Sequence, residues 1–271
     1  MGLSGWRLLD LEVNDAFTNM AIDEAILAAR VAKMAPNTIR LYKWKPSAVS
    51  IGRFQDVQNE VNIENCRQHG VDIVRRISGG GTVYHDCSGE ITYSVVLDGE
   101  SLKSADVVSV YNVICRGIIE AARILGIKAD FNSGDPKQCP NITINGKKIS
   151  GSAQHHTKDT FLQHGTFLVD VDAEKMFTFL RVPWAKTLKD ITCVAEKKLT
   201  SIRHELGTQP SEELVHRALV RGFEMALDIE LSEGDLTIYE KNLAERFQKQ
   251  KYSRDAWNID KSSSLQDSVD M

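Results

Sequence analysis

The run RRISGGGTVYHD, Arg75 to Asp86, sets three glycines between two arginines and a histidine, and is the first stretch whose residue types and spacing could do chemistry. Glycine lacks a Cβ, so contiguous glycines permit positive φ and let bare backbone approach a bound group, at an entropic cost in the unfolded chain. In that reading the N–H groups of Gly79, Gly80, Gly81 and Thr82 face a phosphate or carboxylate, and Arg76 adds charge-assisted hydrogen bonds. The alternative is a glycine-rich bulge in a bent sheet, with Arg75 and Arg76 on a solvated edge. Neither the dinucleotide pattern GxGxxG nor the P-loop pattern GxxxxGK(S/T) fits, because the glycines are contiguous and lead into another strand instead of a helix.

A second candidate is GKKISGSAQ, Gly146 to Gln154. Period-two alternation puts Lys148, Ser150 and Ser152 on one face and Lys147, Ile149 and Gly151 on the other. A lysine in a polar row can hold an acyl carbonyl and a phosphate together while negative charge develops; otherwise these are two solvated lysines after a turn. His164, in Gln163-His164-Gly165, could orient a substrate or serve as a hydrogen-bonded strand residue. His85 and Asp86 either contact a ligand or fasten the end of the glycine loop. His155 and His156 have no companions at metal-ligand spacing and are assigned to a solvent loop, so no metal site is expected.

These groups must be positioned by strands. RLLDLEV, Arg7 to Val13, reads as a strand, after which Asn14 or Asp15 caps a helix through Leu27 and beyond. TIRLYKW, Thr38 to Trp44, and AVSIGRF, Ala48 to Phe54, read as a hairpin around Lys45-Pro46. Asn62 caps a short helix that stops at Gly70, VDIVRR enters the glycines, and EITYSVV resumes strand character, so the glycines join strand to strand. Apolar residues recur at helical spacing from about Ser104 to Leu125, and Gly126 closes that helix. NITINGKKISGSA is a hairpin on the type I′ turn Asn145-Gly146, and Phe161 to Val171 forms the next strand. Helices follow from Ser211 to Met225 and from Thr237 to Lys251, and the polar residues from Lys261 onward form a flexible tail.

Composition narrows the function classes. With 271 residues, 42% of them hydrophobic, the chain can bury one substantial core. A formal net charge of -4 argues against a general nucleic-acid binder. No apolar run approaches membrane-spanning length, and MGLSGWRLLDLE lacks the regions of a signal peptide, so a cytoplasmic location without membrane attachment is expected. Five scattered cysteines without a CxxC pair suggest neither a disulfide framework nor a zinc site.

RRISGGGTVYHD, INGKKISGSAQ and LQHGTFLVDVD, in this order, resemble the lipoate-protein ligase A family, related to biotin-protein ligases and to lipoyl and octanoyl transferases. NMAIDEA from Asn19, SIGRFQ from Ser50, LTSI from Leu199 and KYSRDAW extend the resemblance from Leu8 to Asn258. It implies an α+β fold with a central, largely antiparallel sheet flanked by helices, in a catalytic domain over 1–258 with a tail over 259–271. It also implies a two-part reaction: ATP, with Mg²⁺, activates lipoate to lipoyl-adenylate, and a lysine of a lipoyl carrier domain then takes the lipoyl group. The carrier would be of the 2-oxoacid dehydrogenase E2 or glycine cleavage H protein type.

By that resemblance Arg76 and the backbone from Gly79 through Gly80, Gly81, Thr82 and Val83 to Tyr84 lie against the acyl-adenylate, Lys148 reaches its carbonyl and phosphate, and His85, Ser150, Gly151 and His164 complete the wall. Two departures stand out. Pro140-Asn141 occupies the place where ligases often carry Asn-Asp, and little follows KYSRDAW, as in bipartite ligases whose accessory domain is a separate subunit.

The alternative is an ATP-independent octanoyl or lipoyl transferase working between carrier proteins through a thioester on Cys139. A thiolate is a strong nucleophile, and Lys148 could lower its pKa or stabilise the oxyanion. Against it, those relatives carry their cysteine further upstream of the hairpin, or near the position of Val182-Pro183, where this chain has none. A protein that only binds carrier domains is the third class.

Overall fold

Local sequence sets the first elements. β1 (Trp6–Asn14) passes through Asp15, whose Oδ1 accepts from the Thr18 N–H at 2.7 Å, into α1 (Ala16–Val31). β2 (Asn37–Trp44) and β3 (Ala48–Ile51) precede the short helices α2 (Val57–Glu60) and α3 (Ile63–Gln68), the latter capped by Asn62. β4 (Asp72–Arg75), β5 (Val83–His85) and β6 (Glu90–Asp98) flank the glycines, and α4 (Val107–Ile124) follows. Then come β7 (Asp130–Phe131), β8 (Ile142–Ile144), β9 (Lys147–Ser150), β10 (Ser152–Thr157) and β11 (Thr160–Leu168). The last third carries α5 (Ala173–Phe179), α6 (Leu188–Lys198), α7 (Ile202–Leu206), α8 (Glu212–Leu227), β12 (Leu231–Glu233), α9 (Ile238–Phe247) and α10 (Asp255–Asn258). The computed structural model describes residues 5–102, 107–132, 141–182 and 187–260.

A six-stranded sheet in the order β10-β11-β6-β2-β1-β12 forms the centre. Three of its five pairings are antiparallel and the two made by β1 are parallel, so the α+β expectation with a largely antiparallel sheet holds. Two smaller sheets, β4-β3-β5 and β7-β8-β9, stand beside it. Alternation sorts the central strands between two cores. Ile39, Leu41, Tyr93 and Val95 pack with α4 and α8 on one face, while Tyr42, Trp44, Val96 and Leu162 pack with α1 and Trp257 on the other. No helix among the described residues is long and apolar enough to cross a membrane.

Two expectations about the elements fail. β2 and β3 are not a hairpin: β2 pairs with β1 and β6, while β3 pairs with β4 and β5 in a separate sheet. His155 and His156 lie not in a solvent loop but on β10, which completes the central sheet against β11. A polar SAQHHT sequence can be an edge strand because only one side of it needs a partner. The long apolar helix begins at Val107 among the described residues, and the tail from Lys261 lies outside them.

Candidate active site

On the α1 face of the central sheet a cavity of about 290 Å³ collects groups from all three sheets. Met20, Tyr42 and Trp44 give it an apolar side; the glycine loop and Arg76 form a second wall; Lys148, Gly151, Ser152 and Ala153 form a third. His85, Thr92 and His164 close the floor.

Arg76 shapes the loop from inside. Its Nη1 donates to the Ser50 carbonyl at 2.9 Å and to Ser50 Oγ at 2.8 Å, and its Nη2 donates to the carbonyls of Gly79 and Gly81 at 3.0 and 2.9 Å. The remaining donor, Nε, reaches Ser78 Oγ at 3.4 Å. Burial pushes this guanidinium down to about 10, still fully charged at neutral pH. With its donors committed to the protein, Arg76 holds the loop at the edge of the cavity that it lines.

Because N–H and C=O point opposite ways across a trans peptide, drawing the Gly79 and Gly81 carbonyls to Arg76 turns the Gly80 and Thr82 amides away from it. The amides from Gly79 to Thr82 donate to no described residue. Gly80 takes φ +91°, which only glycine adopts without strain, and its carbonyl sits where any Cβ on Gly52 would collide. The solvated-edge alternative therefore fails: Arg75 and Arg76 are both buried, and Arg75 serves the carbonyls of Gly52, Arg53, Gln55, Trp257 and Asn258.

Two buried Ser–His–carboxylate networks lock onto the same arginine. In one, Ser50 Oγ lies 2.7 Å from His85 Nε2, and His85 Nδ1 lies 2.6 Å from Glu90 Oε1, with Trp44 stacked on the imidazole at 4.1 Å. In the other, Ser78 Oγ lies 2.6 Å from His164 Nε2, and His164 Nδ1 lies 3.0 Å from Asp23 Oδ2. Each carboxylate only accepts, so each Nδ1 carries a proton; each serine accepts from Arg76 and gives its own proton to Nε2. Burial lowers the His164 pKa despite the neighbouring Asp23, which fits that neutral tautomer. Burial opposes ionisation of Asp23, yet its hydrogen bond with His164 and the charge of Arg40 hold it below the usual carboxylate value.

The lysine hairpin arrives from the third sheet. Asn145 and Gly146 both have positive φ, as a type I′ turn requires. Lys148 lines the cavity, Ser150 is buried away from it with its Oγ unpartnered among the described residues, and Gly151 lines the cavity with a backbone so close that a Cβ there would collide with the Lys148 ammonium. Strict alternation had set Lys148 beside Ser150 and opposite Gly151. A bulge breaks it: Thr143 pairs with Lys148 but Ile142 pairs with Ser150, and β10 restarts at Ser152.

Of the remaining expected residues, Gly80, Gly81, Thr82, Val83 and His85 line the cavity with Lys148, Gly151 and His164. Gly79 lines only the neighbouring groove, and Tyr84 turns away to stack on Phe179 at 5.2 Å. Cys139 lies outside the described residues. Asp86 fastens the loop end, bonding Ser88 and Lys175 and falling to about 2 because those hydrogen bonds outweigh its burial. The reading by residue type missed Asp23, Ser50, Ser78, Glu90, Met20 and Asn141. The one available signal was the pair Asp23-Glu24 in the middle of an apolar helix, because buried carboxylates occur only with partners.

The comparisons with known proteins bear on chemistry as well as on fold. An octanoyltransferase LipM of Kyrpidia tusciae is 37% identical over 275 residues, covering 94% of this chain and 99% of the relative. One of Clostridioides difficile is 32% identical over 271 residues, with 94% and 99% covered. Among solved structures, one of a bipartite lipoate protein ligase and its E2 lipoyl domain from Thermoplasma acidophilum aligns with TM-score 0.81 and 29% identity, covering 94% of this chain and 96% of that one.

The transferases correct the expectation of an ATP-dependent ligase forming lipoyl-adenylate, and with it the expectation of ATP and Mg²⁺. The physical reason is that an acyl group arriving as a thioester is already activated toward an amine, so no adenylate is required. The model of the lipoyl protein ligase A/B catalytic domain matches residues 15–224, and the chain belongs to that family.

Proposed function

We propose that this protein transfers a medium-chain acyl group, octanoyl by its relatives' names, from a carrier-bound thioester to a lysine of a lipoyl carrier domain, through a thioester on Cys139. The observation that carries the reading is the placement of cysteines. None of the four described cysteines lines the cavity around Lys148: Cys66 and Cys115 are buried, with thiols pushed up to about 11 by burial, and Cys87 and Cys193 are exposed elsewhere. Asn141 does line it, and Cys139 precedes Asn141 by two positions in the sequence.

The Cys139 sulfur attacks the donor carbonyl, the S–C bond forms, and the donor thiol leaves with a proton. The lysine amine of the acceptor then attacks the enzyme thioester, forms the amide and restores the cysteine. In both halves negative charge develops on the carbonyl oxygen, where the Gly80 and Thr82 amides and the Lys148 ammonium would act. The apolar side of Met20, Tyr42 and Trp44 suits the hydrocarbon chain. Adenylation, the step an accessory subunit would serve, is absent from this route, so the catalytic domain over 1–258 suffices. Carriers of the E2 or H protein type are the acceptor class, and free cysteines suit a reducing cytoplasm.

The test incubates the enzyme with an octanoylated carrier and no ATP and weighs the intact protein. An octanoyl adduct mapping to Cys139 and chasing onto a lipoyl domain is expected, and Cys139→Ser should abolish it. A Cys139→Ser enzyme that still transfers would overturn the reading.

A further inference from the structure

Tyr42 and Trp44, the aromatic rings on the apolar side of the cavity, are tied to the glycine loop by one construction made twice. Trp44 Nε1 donates to Thr92 Oγ1 at 2.7 Å, and Thr92 Oγ1 donates to Glu90 Oε1 at 2.7 Å. The same oxygen takes His85 Nδ1 at 2.6 Å, on the network that runs through Ser50 to Arg76. Tyr42 reaches its carboxylate directly. Its hydroxyl donates to Asp23 Oδ2 at 3.0 Å, the oxygen that also takes His164 Nδ1, on the network that runs through Ser78 to Arg76.

Neither link has freedom to rearrange. An indole N–H only donates and a carboxylate only accepts, so Thr92 must accept from Trp44 and donate to Glu90. Both rings and both carboxylates are 2% exposed or less, so water offers no replacement partner. Trp44 is also stacked on His85 with the ring planes 19° apart. A shift of either ring therefore carries a histidine with it or breaks a buried hydrogen bond, which is costly.

We propose that Glu90 and Asp23 are positioning residues that couple the aromatic wall to the loop: an acyl chain seated against Tyr42 and Trp44 sets Arg76, and through it the Gly80 and Thr82 amides. The inference rests on the transferase reading. A wall that only sheltered the chain would need neither link, because its rings would pack against hydrocarbon equally well with their polar atoms bonded elsewhere. Here each ring ends on the one carboxylate oxygen that fixes a histidine of the loop's arginine. Binding energy from the chain is then spent at the reacting carbonyl, and chain length is expressed in kcat more than in KM.

The experiment compares octanoyl and butyryl thioesters of one acyl carrier protein, with one lipoyl domain as acceptor and rates taken per folded enzyme. Wild type should turn over octanoyl with the higher kcat. Thr92→Val and Tyr42→Phe each detach one ring from its carboxylate and leave the carboxylate, histidine and serine in place. Each should lower the octanoyl-to-butyryl ratio of kcat about fivefold, with the octanoyl KM unchanged or lower, and the two together should lower it further. Should Thr92→Val fail to fold, Tyr42→Phe, which removes a single oxygen, decides alone. Discrimination by wild type in KM only, or variants that raise the octanoyl KM and keep the kcat ratio, would make the rings a shelter and overturn the coupling while the transferase reading stands. Transfer of neither chain by wild type removes the transferase reading and this inference together.

Discussion

The glycine loop and the lysine hairpin face each other across one cavity, and they are held by opposite means. The loop has almost no regular structure of its own; side chains pin its backbone, with Arg76 grasping the carbonyls of Gly79 and Gly81 and two histidine networks fixing the serines that accept from that arginine. The hairpin is held by backbone: its I′ turn, its pairing with β8, and the Thr200 N–H donating to the Lys148 carbonyl at 2.9 Å. Side chains therefore carry the structure on the loop side, and backbone carries it on the hairpin side.

Lys148→Ala puts that contrast to its largest test. It should cut acyl transfer by about 10²-fold or more with a thermal midpoint near wild type. Lys147→Ala should be mild, because Lys147 faces a separate hollow lined by Thr200 and His204 on the other side of β9. A Lys148→Ala protein that fails to fold would erase the distinction between the two segments.

Arg76→Met works the other way. It leaves the Ser50, Gly79 and Gly81 carbonyls without their donor, and buried unsatisfied groups cost about 1–3 kcal/mol each. Denaturant unfolding should show a loss on the order of 3–5 kcal/mol, and activity should fall with the folded fraction. If stability were unchanged, the loop would not depend on its arginine.

Gly80→Val ranks next. A β-branched residue at φ +91° is strained, which costs about 1–3 kcal/mol, and the new side chain packs against Ala153 and Arg76 on the cavity wall. Transfer should fall further than stability, read as activity per folded molecule.

The same contrast decides what could be read from sequence. The hairpin was legible because Asn145-Gly146 encodes its turn locally, and Asp15, Asn62 and Ser211 were legible as caps because each satisfies an amide three residues on or nearer. The loop was half legible. Its glycines announced a special backbone, but the role of Arg76 depends on Ser50, 26 residues away, and on the Ser78–His164 pair, 86 residues apart. No local pattern reports such pairings. The assignment of β2 and β3 to different sheets was illegible for the same reason: strand pairing is a tertiary choice, and two strand-like runs around a proline carry no mark of it. Function was harder still, since one family model covers this chain while its relatives carry the names of octanoyltransferases and its structural neighbours those of lipoate ligases.

His155 gives the smallest and most selective test, because its surroundings on β10 disfavour the charged imidazole. Burial, then the charge of Arg53, lowers its pKa from 6.5 to about 4, although Glu24 pulls the other way. Below 6.5 the unfolded chain binds a proton that folded His155 refuses, so ν_U exceeds ν_N and stability falls with falling pH. The loss begins near pH 6.5 and levels off near pH 4, where the folded form protonates as well. His155→Gln removes this contribution, since an amide takes up no proton. Urea midpoints measured at steps from pH 7 to pH 4.5 should therefore converge or favour the wild type at the neutral end and separate in favour of the variant as the pH drops. Parallel curves would mean that His155 is as well hydrated in the folded protein as in the unfolded chain, and that neither burial nor the charge of Arg53 acts on it.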